Sequence, residues 1–297
     1  MKAVVILNER SGACLTLGGL ESVEAIRAAF AAEGVDADVR CVSGEQIPAE
    51  ALAAVASGAD VVVAGGGDGT INAVASALVD RDVPLGVLPM GTLNHFAKDL
   101  GIPVELVEAV KVIADNHAAL VDVGEVNRHE FINNSSLGVY ARAVIERDHT
   151  QNRLGLSKWL AMALAAIKTF RLAPMLHVRL DIDGKMILLK TPLVFVGNNR
   201  YRLELPKIGA RDRLDEGVLS LYVATAQTRW GMLKLLFRAA LGKLRESRDF
   251  EAMYTTEVWV ETRHRRQHVA IDGEVVRLHP PLHYRIRPRA LRVLVPK

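Results

Sequence analysis

The chain has 297 residues, half of them apolar, with a net charge of +3 and two cysteines. That apolar fraction supports a large core and argues against disorder, while the length admits two domains. Cys14 and Cys41 form no CxxC motif or Cys/His cluster, which argues against a zinc site and a disulfide framework and reads both as packing residues in a reducing compartment.

The total charge hides a step along the chain. Residues 1–124 hold 7 Lys+Arg against 17 Asp+Glu, and the rest hold 30 against 17. This predicts a domain boundary near Gly124 and a basic second region that meets something anionic.

The opening MKAVVILNERSG reads as a first strand, Val4 to Asn8, and a loop. Its apolar run is too short for a signal peptide, so a cytoplasmic location is expected. Val23, Ile26, Ala29 and Phe30 are spaced for a helix over about Gly19–Glu33. A strand over 35–42, a helix over 48–57, a strand ending in Val61–Val63 and a strand over 84–91 follow. The βαβαβ alternation predicts a doubly wound, Rossmann-like α/β domain with ligand at the C-terminal strand ends.

At one such end stands VVVAGGGDGTIN, residues 61–72. Gly65, Gly66, Gly67 and Gly69 let backbone N–H groups approach an oxyanion, and a helix starting there, with Thr70 as its expected N-cap, would add its own orphan donors. Asp68 inside such a phosphate loop would hold Mg²⁺, directly or through water, or shape the turn through backbone donors. A glycine-rich turn without a ligand is the plainer alternative. The loops NERSG and GTLNHF leave neighbouring strands and are expected at the same crevice.

Beyond Asp122, short alternating strands with turns such as Asp183-Gly184 predict an antiparallel β-sandwich. Two helical stretches, Ser157–Phe170 and Trp230–Leu244, interrupt it. Hydrophobic segments near 159–167 and 233–241 are broken by Lys158, Lys168, Lys234 and Arg238. None reaches the ~20 residues of a transmembrane span.

In order and spacing, GGGDGTIN, LPMGTLNHFAKDLGIP, GNNR, RDRLDEGVLSLYV, IDGE and PRALRVLVP resemble the diacylglycerol kinase catalytic-domain family, in particular its compact bacterial lipid kinases. The resemblance covers almost the whole chain. It implies an α/β domain of NAD-kinase and diacylglycerol-kinase type (1–124, with 288–297 returning to it) and a β-sandwich domain (125–287), ATP as phosphoryl donor with Mg²⁺, and a lipid hydroxyl as acceptor. By motif, Asn8, Ser11 and Gly12 would line the nucleotide, Gly65 to Asn72 would hold its phosphates, and Thr92 would contact it from the next loop. Asp272 of IDGE would be the general base, with Glu274 the other candidate. A lipid alcohol needs such a carboxylate to accept its proton. The residues alone leave Asp272-Gly273 readable as an ordinary hairpin turn.

Three positions depart from the family pattern. Glu9 stands where proline is common and His95 where GTxND has aspartate; His95 is assigned no chemical role. Glu216 replaces an aspartate in the family's magnesium motif. Glu216 with the carbonyls of Arg213 and Val218 is the candidate metal set, and a solvated acidic turn is its alternative.

A lipid substrate implies peripheral association with the inner membrane face, favoured by the basic second region. The turn RHRRQH (263–268) and the segment Arg229–Arg248 are the candidate contacts, though either also reads as an ordinary solvated turn or packed helix. A homodimer is compatible with the sequence. Other readings are a kinase of a soluble acceptor, as in NAD kinases, and a catalytically silent nucleotide- or lipid-binding regulator. Nucleic acid is not expected as a partner, because 5% aromatic residues offer few stacking groups.

Overall fold

The structure, a computed structural model, describes residues 1–9, 14, 22–138, 175–203, 209–225, 238 and 250–297. They divide into two compact units, Met1–Val123 with Pro288–Lys297, and Gly124–Arg287. Apart from Arg238, the helices expected at 157–170 and 230–244 lie outside the described residues.

In the first unit, β1 (Lys2–Asn8), β2 (Asp36–Val42), β3 (Val61–Gly66) and β4 (Leu85–Pro89) form a parallel sheet in the order β2-β1-β3-β4. The central strands carry the unbroken apolar runs Ala3–Leu7 and Val61–Ala64, all fully buried, as strands covered on both faces require. Helices α1 (Val23–Ala32), α2 (Ile47–Ala56), α3 (Asp68–Leu78), α4 (His95–Asp99) and α5 (Leu106–Ala114) alternate with them. The Ser22 hydroxyl caps α1 by accepting the Ala25 N–H at 3.2 Å, and Ile26 and Phe30 form its buried stripe. The chain's last residues belong here too. Val293 of β16 (Leu282–Leu294) pairs in parallel with Leu85, and the Arg289 N–H donates to the Asp122 carboxylate at 2.8 Å.

Two sequence readings are corrected in this unit. The N-cap of α3 is Gly67, in extended conformation, so the helix begins at Asp68 and Thr70 sits inside its first turn. The strand therefore passes into helix three residues earlier than a threonine cap at position 70 would allow. Cys14 and Cys41 are joined in a disulfide, with Cα atoms 6.1 Å apart. β-sheet register sets Leu7 opposite Cys41, so Cys41 lies beside the end of β1, a few residues from Cys14 in the chain. Nothing in the spacing of two cysteines announces that pairing, and the bond removes the cysteine argument for a reducing compartment.

The second unit is the expected antiparallel, sandwich-like β domain. One sheet runs β12 (Phe250–Thr255), β11 (Leu219–Ala224), β10 (Leu193–Asn198), β7 (Asn134–Gly138), β14 (Gln267–Ile271) and β15 (Glu274–Leu278). In the other, β13 (Glu257–Thr262) pairs with β16 and with β8 (Leu176–Ile182), and β9 (Lys185–Thr191) pairs with β8. Strict alternation in β8 puts Leu176, Val178, Leu180 and Ile182 inside and His177 and Arg179 outside. Side chains of both sheets meet in one core with Phe131 and Tyr284, whose rings contact edge to face at 6.4 Å. Strand β5 (Ala118–Val126) forms a hairpin with the short β6 (His129–Phe131).

Phe131 is fully buried, so Phe131→Ala should cost about 3–5 kcal/mol of unfolding free energy. Denaturant unfolding checks this, and a loss below about 1 kcal/mol would mean that the ring is not a core anchor.

Candidate active site

The glycine loop joins β3 to α3. The Met90 N–H donates to the Gly66 carbonyl at 3.0 Å, tying the loop to the end of β4. A side chain at Gly66 would place Cβ 2.7 Å from the Thr70 hydroxyl, so only glycine lets the helix close over the strand end. The first-turn N–H groups of Asp68, Gly69 and Thr70 have no acceptor within the helix, by α-helix geometry, and the positive end of the dipole lies with them. Such a cluster of donors suits an anion.

Asp68 and Asn72 lie one turn apart on α3, and each has a buried side-chain Oδ1 with no hydrogen-bond partner. Two acceptors left without donors, beside a cluster of N–H groups, suit an oxygen-binding cation lying against an anion. Asn8 ends β1 half-buried, and Thr92 is exposed in the loop after β4. Ser11 and Gly12 lie outside the described residues.

Asn94 holds the loop after β4. It is buried, in left-handed conformation (φ 50°). Its Oδ1 accepts the Gly91 N–H at 2.9 Å, while Nδ2 donates to the carbonyls of Gly91 at 2.9 Å and Pro89 at 3.2 Å. A Cβ at Gly91 would lie 2.5 Å from the Gly67 Cα. The two loops touch because neither carries a side chain there.

In the second unit, Asp272 and Gly273 form the two-residue turn between β14 and β15, with φ of 45° and 87°. Both positive angles match the hairpin turn that Asp-Gly favours. The Asp272 carboxylate, however, turns onto the segment between β6 and β7. Its Oδ2 accepts the Ile132 N–H at 2.8 Å, and its Oδ1 accepts those of Asn133 at 3.0 Å and Asn134 at 2.8 Å. Desolvation raises its pKa to about 6, against the opposing pull of these donors and of Arg211. A carboxylate offers roughly four lone-pair sites, so one on Oδ2 stays open in a fixed direction. Glu274 is exposed at the start of β15.

Arg211, almost fully buried, braces that segment. It donates to the carbonyls of Ile132 at 2.6 Å and Asn198 at 3.1 Å and to the Asn133 side chain at 2.7 Å. Asn198 adds a bond from Nδ2 to the Ile132 carbonyl at 3.0 Å.

Arg213, Glu216 and Val218 fall in one turn, and the Val218 carbonyl and the Glu216 carboxylate both have protein partners. The Asn199 N–H donates to the Val218 carbonyl at 3.0 Å. The Glu216 carboxylate accepts the Arg200 N–H at 3.3 Å and lies 3.8 Å from its guanidinium. Arg213 pairs with Asp215. Among the described residues no group of three or more His, Cys, Asp or Glu side chains gathers, here or at the glycine loop; the Glu216 carboxylate faces Arg200, whereas Oδ1 of Asp68 and of Asn72 has no hydrogen-bond partner and suits a cation.

Comparison with known proteins decides the family. Residues 2–126 match the diacylglycerol kinase catalytic domain, and residues 133–295 match the YegS C-terminal NAD kinase beta sandwich-like domain. The chain belongs to the diacylglycerol kinase family. Within this family, a Staphylococcus aureus diacylglycerol kinase is 32% identical over 180 residues, which are 59% of this chain and 55% of that protein. An uncharacterized protein of Synechocystis sp. is 28% identical over 245 residues, 80% of this chain and 55% of that protein. The match therefore spans about half the length of these curated relatives. A diacylglycerol kinase crystal structure from Bacillus anthracis shares the fold at a TM-score of 0.71 and 20% identity, covering 99% of this chain and 97% of that one.

For this diacylglycerol kinase family member, sequence reasoning singled out the loops but missed Asn94, Asn133, Asn198 and Arg211 as their supports. Polar residues inside apolar or glycine-rich motifs were the available signal, because a buried amide or guanidinium must find partners.

Asn94→Ala leaves the Gly91 N–H and two carbonyls without their partner, so it should destabilise the fold by about 1–3 kcal/mol; thermal or denaturant unfolding measures it. Asp272 is raised above its unfolded value. Its protonated form therefore favours folding, a contribution fully present below the unfolded pKa of about 4 and lost as pH rises through about 6. Denaturant unfolding should show the wild type losing stability relative to Asp272→Asn across this window. A pH-independent difference would mean that the carboxylate is not shifted.

Proposed function

We propose that the protein is an ATP-dependent lipid kinase that transfers the γ-phosphoryl group to the hydroxyl of a diacylglycerol-like or sphingoid lipid. The carrying observation is the Asp272 carboxylate, aimed by three backbone N–H groups and titrating near 6. A general base works best with a pKa close to working pH, and a group near 6 is mostly ionised at neutrality yet still basic enough to take a proton.

In this reading the first turn of α3 receives the ATP phosphates, and Asn8, Ser11, Gly12 and Thr92 contact the nucleotide. Asp68 and Asn72 hold Mg²⁺, which when bound neutralises phosphate charge. The lipid hydroxyl oxygen bonds to the γ-phosphorus as the bond to the β–γ bridging oxygen breaks. ADP leaves, and the hydroxyl proton passes to Oδ2 of Asp272. Arg211 and Asn198 keep the donor segment rigid, so that the base does not swing away. Family membership and the name of the Staphylococcus aureus relative support a lipid acceptor. Use of ATP as the donor favours a cytoplasmic location. No helix among the described residues is long and apolar enough to cross a membrane, so the enzyme would reach its substrate by peripheral contact with the inner face.

Transfer from γ-labelled ATP with Mg²⁺ into diacylglycerol, monoacylglycerol and sphingoid bases in mixed micelles tests this. Label should appear in one lipid class, and Asp272→Asn should lower kcat at least ~100-fold, with Glu274→Gln having the smaller effect. The reverse order would make Glu274 the base. Activity should fall as pH drops through about 6, where Asp272 takes up a proton. Bound ATP with no label in any lipid would overturn the lipid-kinase reading.

A further inference from the structure

The outward corner formed by β8, β9 and the turn after β13 carries an apolar and cationic pattern that the chemistry above does not use. Leu188 and Met186 on β9 are 80% and 69% exposed, far beyond the usual fate of large apolar side chains. β-sheet register sets Leu188 opposite Arg179 and Lys190 opposite His177 on one face. An open groove of about 450 Å³ runs between these residues, Glu261 and Arg263. The turn 263–266 continues the cationic edge with Arg263, Arg265 and Arg266, all exposed. Glu261 pairs with Arg179; of the face's further acidic residues, Asp181 lies at the far end opposite Met186 and Glu257, at the start of β13, pairs with His283.

β9 is also the last strand of its sheet among the described residues. An exposed apolar edge strand usually invites pairing with another strand. Here a second copy would bring Lys185 and Lys190 of β9 against the same charges, which opposes that pairing. An anionic lipid surface reverses the sign: the cations meet headgroups while Leu188 enters the acyl boundary, as in peripheral anchors that combine apolar insertion with basic residues.

We infer that this corner, Leu188 with Lys190, Arg263, Arg265 and Arg266, is the surface by which the protein docks on anionic membranes. The assignment deepens the lipid-kinase reading and rests on it, but it is tested without catalysis. The full chain is sedimented with vesicles of phosphatidylcholine alone or mixed with phosphatidylglycerol, in the absence of ATP. Binding should require phosphatidylglycerol and weaken with salt, because the Debye length shortens. Lys190→Glu/Arg263→Glu should weaken binding about tenfold or more, and Leu188→Ser should weaken it on both low and high salt. Val107→Ser, a similarly exposed apolar residue of the first unit, should leave it unchanged. Circular dichroism melting confirms that each variant is folded.

Equal binding to neutral vesicles, no binding by the wild type, or wild-type binding by the folded variants overturns the proposal. So does a change in sedimentation velocity on Leu188→Ser without a change in vesicle binding, since the face would then serve self-association. Vesicle binding that behaves as expected in a chain that labels no lipid would leave the docking surface standing and sink the kinase reading alone.

Discussion

Close approach of two glycines sets the geometry of the α/β half. Gly67 and Gly91 sit at the ends of adjacent parallel strands, and a single methyl group at Gly91 would come within 2.5 Å of the Gly67 backbone. Without those side chains the two loops share one short rim, and the helix start of α3 opens onto it. Asn94 then replaces the missing packing with polar bonds, closing the β4 loop on itself. Both keep the backbone donors of the α3 start rigid and uncovered at once, where side chains would achieve the first by sacrificing the second.

The second unit solves the opposite problem, holding a negative group in place. Asp272 sits on a turn whose backbone angles suit it, but a turn alone does not aim a side chain. Its direction comes from three N–H groups of the segment after β6, and that segment is in turn held by the buried guanidinium of Arg211 and the amide of Asn198. Arg211 exerts two effects through one position. It satisfies carbonyls that burial would otherwise leave unpaired, and its charge limits how far desolvation raises the carboxylate. The result is a carboxylate whose pKa is raised to about 6 and whose direction is fixed.

Departures from the family pattern have local consequences. At Glu216 the longer carboxylate reaches back to Arg200, whose guanidinium in turn lies over the Tyr254 ring at 4.6 Å. The turn thereby supplies its own cation. At the glycine loop the situation is reversed, because Asp68 and Asn72 keep oxygens that no protein donor meets. Oxygen without a donor is the condition a bound cation relieves, and the two places differ in this: Asp215 and Glu216 each face an arginine, whereas Oδ1 of Asp68 has no hydrogen-bond partner.

Periodicity and composition were enough to read the α/β half and the antiparallel half. The run Val61–Val63 before three glycines can be little else than a buried strand meeting a helix, and alternation in β8 states which side chains face inward. Order and spacing of motifs were enough to name the family. The uses of identical local sequence were not legible. Asp183-Gly184 and Asp272-Gly273 form the same kind of turn, with positive φ at both residues, yet only Asp272 meets three N–H groups about 140 residues away in the chain. The Cys14–Cys41 bond and the roles of Asn94 and Arg211 were hidden for the same reason. Local sequence determines which backbone shapes are cheap, whereas hydrogen bonds and cross-links between distant residues depend on register and packing, which exist only once the chain has folded.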